Sequence, residues 1–112
     1  MSSISEADAI RLRHMLDAAG KALSFVQDRS REDLETDEML ALALVRLLEI
    51  LGEAAGRVSP DVQAELPTIP WRQVAGTRNR LIHGYFNIDL DIVWAIIQND
   101  LPSCIAVLEK VV

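Results

Sequence analysis

No acidic residue occurs between Leu66 and Ile88, although the chain carries 17 aspartates and glutamates against 11 lysines and arginines. Other absences narrow the possibilities further. A single cysteine, Cys104, excludes an internal disulfide, and its neighbours Ile105, Ala106 and Val107 point to a buried structural thiol. With only two histidines, His14 and His83, one chain cannot assemble a Cys/His zinc site. There is no P-loop, no GxGxxG and no internal repeat, which removes the common nucleotide-binding signatures. Glycine (5) and proline (4) are sparse, so turn signals are few, and no segment sustains the period-2 alternation of a strand. No apolar run of membrane-spanning length is expected. The N-terminus lacks a basic-then-apolar leader pattern, so a cytoplasmic protein away from membranes is expected.

Half of the residues are hydrophobic, enough for the core of one domain spanning residues 1–112. The acid-free window holds Arg72, Arg78, Arg80 and His83. Its formal charge is +3 against −9 for the remainder, giving −6 overall. Local charge decides what a cleft attracts, so a basic window in an acidic protein points to an anion. Its centre is Arg78-Asn79-Arg80-Leu81-Ile82-His83-Gly84-Tyr85, where an acid/base group, cations and a phenol share eight residues.

In chain order, Ala9, Leu12, Leu16, Ala19, Leu23 and Val26 step by three and four, predicting a helix from about Glu6 to Gln27. His14 reads as a surface or half-buried residue of that helix. Ser30 to Asp33 fits a capping box, and Thr36-Asp37-Glu38 offers a second N-cap. A short turn of helix and then a long helix from about Asp37 to Val58 are expected. Met39 to Leu51 is apolar apart from Arg46 and Glu49, too apolar for one core face. In a small chain that excess implies burial against a second copy. Arg46, Glu49, Glu53 and Arg57 form one narrow stripe. It reads either as a solvated face with a Glu53–Arg57 pair or as the border of a polar cleft. Ser59-Pro60 starts a short helix that ends before Pro67. Pro70-Trp71 starts a helix to about His83 anchored by Trp71, and Phe86 to Asp89 is a loop. Asp89 caps a last helix from Leu90, which Pro102 kinks or divides. The fold class is all-α, a four- to five-helix up-down bundle.

Arg78 and His83 are five residues apart. On a continuous helix that is about 500°, so their side chains stand roughly 140° apart. A helix ending at Gly84 places His83 in its last turn and Tyr85 at the exit. The residue types suit phosphodiester cleavage in RNA. The 2′-OH needs a base, the leaving 5′-oxygen needs an acid, and the crowded phosphorane needs positive charge. Imidazole serves both proton roles near neutral pH, and guanidinium supplies permanent charge and planar donors. One chain offers one histidine for two proton transfers, so a two-fold dimer with both windows in one cleft completes the set. The competing reading is structural: Arg78 and Arg80 pair with acids, and His83 sits favourably at a helix C-terminus.

The segment Gly76 to Tyr85, preceded by Ile69-Pro70-Trp71 and followed by Asp89 to Trp94, resembles the HepT-like branch of the HEPN superfamily. Leu48-Glu49-Ile50-Leu51-Gly52-Glu53-Ala54-Ala55 is similar to that family's second-helix segment, and the likeness extends over nearly the whole chain. The resemblance implies an α-helical homodimer with a composite, metal-independent endoribonuclease site and no cofactor. Arg78 and His83 match the family's catalytic pair, and Asn79 its polar position after the arginine. Arg80 and Arg72 are supporting candidates for binding RNA, and Glu53 is a candidate cleft residue. The resemblance further implies the toxin half of a toxin–antitoxin pair. Its partner would be an MntA-like minimal nucleotidyltransferase antitoxin that transfers AMP from ATP to the motif tyrosine, here Tyr85. The alternative is a non-catalytic HEPN-like binding partner of such a nucleotidyltransferase. The low pI of about 4.8 and the few aromatics argue against a general nucleic-acid binder. A dimerising scaffold without ligand is the remaining reading.

Overall fold

The computed structural model describes residues 4–83 and 87–112, with the backbone alone for His83. The described residues are all-α apart from one antiparallel pair of two-residue strands. α1 (Glu6–Phe25) starts at Ser5, whose hydroxyl accepts the Asp8 N–H. Its buried face is Leu12, Met15, Ala18, Ala19, Ala22 and Val26. Ala9, Leu16 and Leu23 are only half-buried, so the core stripe is rotated from the expected one. α2 is a single turn (Asp33–Thr36), and the Ser30 N–H donates to Asp33 Oδ2 at 2.7 Å, one arm of the expected capping box.

α3 (Glu38–Gly56) is capped by Asp37, whose carboxylate accepts the Leu40 N–H. This helix organises the molecule, packing along α1 on one side and against the later helices on the other. Leu44, Leu48, Leu51 and Ala55 are buried, while Met39 is 83% and Leu42 52% exposed. α4 (Pro60–Glu65) is capped by Ser59 with proline at its first position. Ser59 also ties α4 to α1: its N–H and O–H donate to Asp8 at 2.9 and 2.7 Å.

The helix expected from Trp71 to His83 is two short ones, α5 (Trp71–Ala75) and α6 (Thr77–Leu81), broken at Gly76. The buried Thr77 hydroxyl donates to the Val74 carbonyl at 2.6 Å and stabilises the break. α6 ends at Leu81, two residues before the expected stop. Ile82–His83 (β1) is extended and pairs antiparallel with Asn87–Ile88 (β2), in register Ile82↔Ile88 and His83↔Asn87. His83 therefore leaves the helix before its own position, and part of the expected loop after Phe86 is strand. Trp71 is half-buried, and its indole N–H donates to the Leu66 carbonyl at 2.9 Å; it is an edge residue of the core.

α7 (Leu90–Ala95) begins at the expected Asp89 cap. A π turn (Ile96–Asp100) then leads into α8 (Leu101–Glu109). Pro102 has no N–H and its ring crowds the carbonyl four residues back, and the wider π turn absorbs both demands. The expected division of the helix falls at this π turn, directly before Pro102 in the first turn of α8. Contrary to the sequence expectation, Leu90–Glu109 is long and apolar enough, by length and composition, to cross a membrane. Val93, Ile96, Ile97, Leu101 and Leu108 from this run are buried in the core, and Leu90, Ile92, Trp94, Ile105 and Val107 pack partly buried against it.

Candidate active site around Arg78

α5 and α6 sit on α3 at Gly52. A Cβ there would stand 3.0 Å from the Val74 carbonyl oxygen and 3.5 Å from Thr77 Cβ, so glycine allows an approach that a larger residue would crowd. Thr77 and Leu81, four apart, are the buried side of α6. That packing turns the intervening Arg78 and Asn79 to the outside, both exposed.

Arg78 does not stand free. Its Nε–H donates to Glu49 Oε2 at 3.2 Å, from α6 to the turn of α3 before Gly52. Arg78 is 70% exposed and Glu49 20%, so the carboxylate is the anchored partner. Arg80, half-buried, lies 3.6 Å from Asp100 Oδ2 at the end of the π turn. The window that is free of acids in sequence is therefore not free of acids in space. Glu49 and Asp100 were not expected at these positions. Glu49 had a visible signal, since it interrupts the apolar run of α3. Asp100 had none, because nothing local links it to Arg80.

The other expected site residues divide. Arg72 is exposed on α5, the helix before α6. The backbone of His83 lies in β1, directly after α6. Tyr85 is outside the described residues. Glu53 does not join Arg78; it lines a concavity of about 130 Å³ with Arg11, His14, Ile50, Ala54 and Arg57. The charged stripe of α3 is thus divided: Glu49 faces α6, while Glu53 and Arg57 border a polar cleft against α1. Among the described residues, no group of three or more His, Cys, Asp or Glu side chains is placed to hold a metal ion.

This arrangement presents a guanidinium at the surface with one edge fixed. The terminal amino groups of Arg78 remain to donate to an anion, and the α6–β1 junction puts the His83 backbone one turn and a strand residue further on. An exposed guanidinium with terminal N–H donors to spare suits neutralising an anionic group.

Comparison with known proteins gives the same direction. Residues 15–111 match the family model described as ribonuclease HepT-like. The chain is 35% identical over 92 residues to "Putative RNase MJ1380" of Methanocaldococcus jannaschii, covering 82% of this chain and 84% of that protein. It is 34% identical over 99 residues to "Probable ribonuclease HepT" of Thermococcus cleftensis, covering 85% and 90%. It is 36% identical over 92 residues to "Putative RNase TTE0752" of Caldanaerobacter subterraneus, covering 82% of each. No solved structure matches the chain. With a family match over nearly its whole length and relatives of similar size, the chain belongs to the HepT-like ribonuclease family of the HEPN superfamily.

Proposed function

We propose that this protein is the toxin of a toxin–antitoxin pair, a cytoplasmic, metal-independent endoribonuclease whose active site is composed at the interface of a homodimer. The observation that carries the reading is the Arg78-x4-His83 motif, with Arg78 exposed on a helix whose packing against α3 is fixed at Gly52. The exposed Met39 and Leu42 on α3 support a second copy as the missing cover.

In this reading neutral His83 removes the proton of an RNA 2′-OH, and the 2′-oxygen attacks the adjacent phosphorus. The His83 imidazolium of the second protomer gives its proton to the departing 5′-oxygen. The products are a 2′,3′-cyclic phosphate and a 5′-hydroxyl. Arg78 neutralises the non-bridging oxygens as charge builds on the phosphorane. Asn79, Arg80 and Arg72 contribute contacts to the RNA backbone. An MntA-like nucleotidyltransferase antitoxin silences the site by transferring AMP from ATP to the Tyr85 hydroxyl, releasing pyrophosphate. The adduct places a phosphate and a base beside the motif, where RNA would bind.

Expression in a bacterial host tests this reading. Wild type arrests growth, Arg78→Ala and His83→Ala do not, and co-expressed antitoxin restores growth while adding one AMP to the toxin. Tyr85→Phe stays toxic in the presence of the antitoxin. Arrest by both motif variants at the wild-type level contradicts it. One observation favours a second reading, a non-catalytic partner of the nucleotidyltransferase: Arg78 and Arg80 both have carboxylate partners within the chain. That reading predicts partner binding with no RNA cleavage.

A further inference from the structure

The contact between Glu49 and Arg78 spans 29 residues and joins the longest helix of the site to the motif helix. Three features make it more than a surface ion pair. Glu49 is four-fifths covered, whereas Arg78 is mostly exposed, so the contact constrains the arginine and not the glutamate. The interaction uses Nε, the inner nitrogen of the guanidinium. The two helices cannot slide apart freely, because Gly52 seats the α5–α6 joint one turn further along α3. On the other side of α6, Arg80 faces Asp100. The motif helix is thus held between two carboxylates contributed by other elements.

A guanidinium has five N–H donors in a rigid plane. With Nε–H given to Glu49, the guanidinium is held at its inner edge and the four N–H bonds of the terminal nitrogens remain. Their shared edge is one of the two that bind a phosphate through parallel hydrogen bonds. An exposed arginine without this anchor samples many rotamers and must be ordered in each encounter. The cost of the arrangement is a negative charge near the anion site. Binding a phosphate end-on, away from the carboxylate, limits that cost.

We propose that Glu49 is a positioning residue for Arg78: it holds Nε so that the terminal amino groups meet the scissile phosphate of RNA end-on. The inference rests on the ribonuclease reading. It assigns Glu49 no contact with substrate and no proton transfer. Its effect on the reaction passes entirely through the arginine, which distinguishes it from a second acid or base in the cleft.

The test is a kinetic double-mutant cycle on full-length protein, with the fold of each variant checked by circular dichroism. Glu49→Ala lowers kcat on a cleavable RNA by about 10- to 100-fold while KM changes by less than about threefold, because the interaction matters most in the transition state. Glu49→Gln, whose amide oxygen still accepts from Nε, stays within about threefold of wild type. In an Arg78→Lys background, Glu49→Ala costs less than about twofold, since the orientation it provided is already gone. Cleavage by Glu49→Ala at or above the wild-type rate overturns the proposal and makes Glu49 neutral or a brake. An equal loss in the Arg78→Lys background also overturns it. Failure of the ribonuclease reading is recognised separately through the Arg78 Nε–H resonance of ¹⁵N-labelled protein without RNA. If wild type cuts no RNA while Glu49→Ala shifts that resonance, the contact stands, but the nuclease reading and the role of Glu49 in it fall. If Glu49→Ala leaves the resonance unmoved, the contact itself is refuted.

Discussion

At the scale of single residues, the environment decides which reactive groups are available. Cys104 is buried, and its thiol is pushed up to about 11, by burial first and by Asp100 second. A thiol that neither ionises nor meets solvent does not react. Native protein at pH 8 should therefore resist iodoacetamide and become alkylated only on unfolding, as followed by intact mass. Rapid labelling of folded protein would show that the α8 environment is open. Asp8 is the opposite case. The Ser59 N–H, and next its hydroxyl, hold the Asp8 carboxyl below the ordinary carboxylate range. Asp33 and Asp37 are lowered too, chiefly by the Ser30 N–H and by Arg29 respectively. A carboxylate lowered in the folded state contributes stability that is fully present above its ordinary pKa of 3.8 and is lost as pH falls through the lower folded value. Melting temperature should accordingly be flat near neutrality and drop below about pH 4. Asp8→Asn should lower it at pH 7 and flatten the acid limb; a parallel acid limb in the variant would contradict the assignment. Single residues were unevenly legible. The Arg78-x4-His83 motif and the Ser59 and Asp89 caps are local patterns, so sequence showed them. Glu49 and Asp100 meet their arginines only through tertiary packing, and no local pattern records that.

Among the elements, α3 carries the most consequence. Its start at Asp37 and its length were legible from a cap followed by a long apolar run. The division of the motif helix was not. Trp71 to His83 has few strong breakers, and the joint at Gly76 depends on a threonine hydroxyl turning back to Val74 and on a close seat at Gly52. The early end of α6 follows from β1 pairing with β2, again a partner beyond local reach, although Ile82 is β-branched and suits an extended backbone. Because the Gly52 seat has backbone on its far side, Gly52→Ala forces α3 and α5 apart. It should cost about 1–3 kcal/mol in urea unfolding and shift the Arg78 Nε–H resonance with it. A gain in stability, the usual result for glycine-to-alanine inside an open helix, would show that the seat is looser than described. Pro102 illustrates the same lesson in reverse. The proline was visible, but the π turn before it, which carries Ile97 and leads to Leu101, both buried, was not.

For the whole molecule, the excess apolarity of α3 now has an address. Leu44, Leu48 and Leu51 account for the core, and Met39 and Leu42 remain on the outside. In a homodimer these two lie at the contact, so Met39→Lys with Leu42→Lys should convert a dimer to a monomer in sedimentation velocity. The same variant should lose at least about tenfold in cleavage if the site is composite. Full activity in a monomeric variant would remove the need for a shared cleft. The sequence also showed a basic window in an acidic chain. The fold then revealed that Arg78 and Arg80 in this window are each met by a carboxylate.

The central claim is that Arg78 and His83 cleave RNA without a metal ion. It is tested most directly by incubating wild type, Arg78→Ala and His83→Ala with a broad RNA panel in excess EDTA. Intact mass is checked first so that no AMP adduct silences the wild type. The account predicts cleavage by wild type that survives chelation, leaves 2′,3′-cyclic phosphate ends, and disappears in both folded variants. Unmodified wild type that cuts no RNA, or variants that cut as well as wild type, would contradict it.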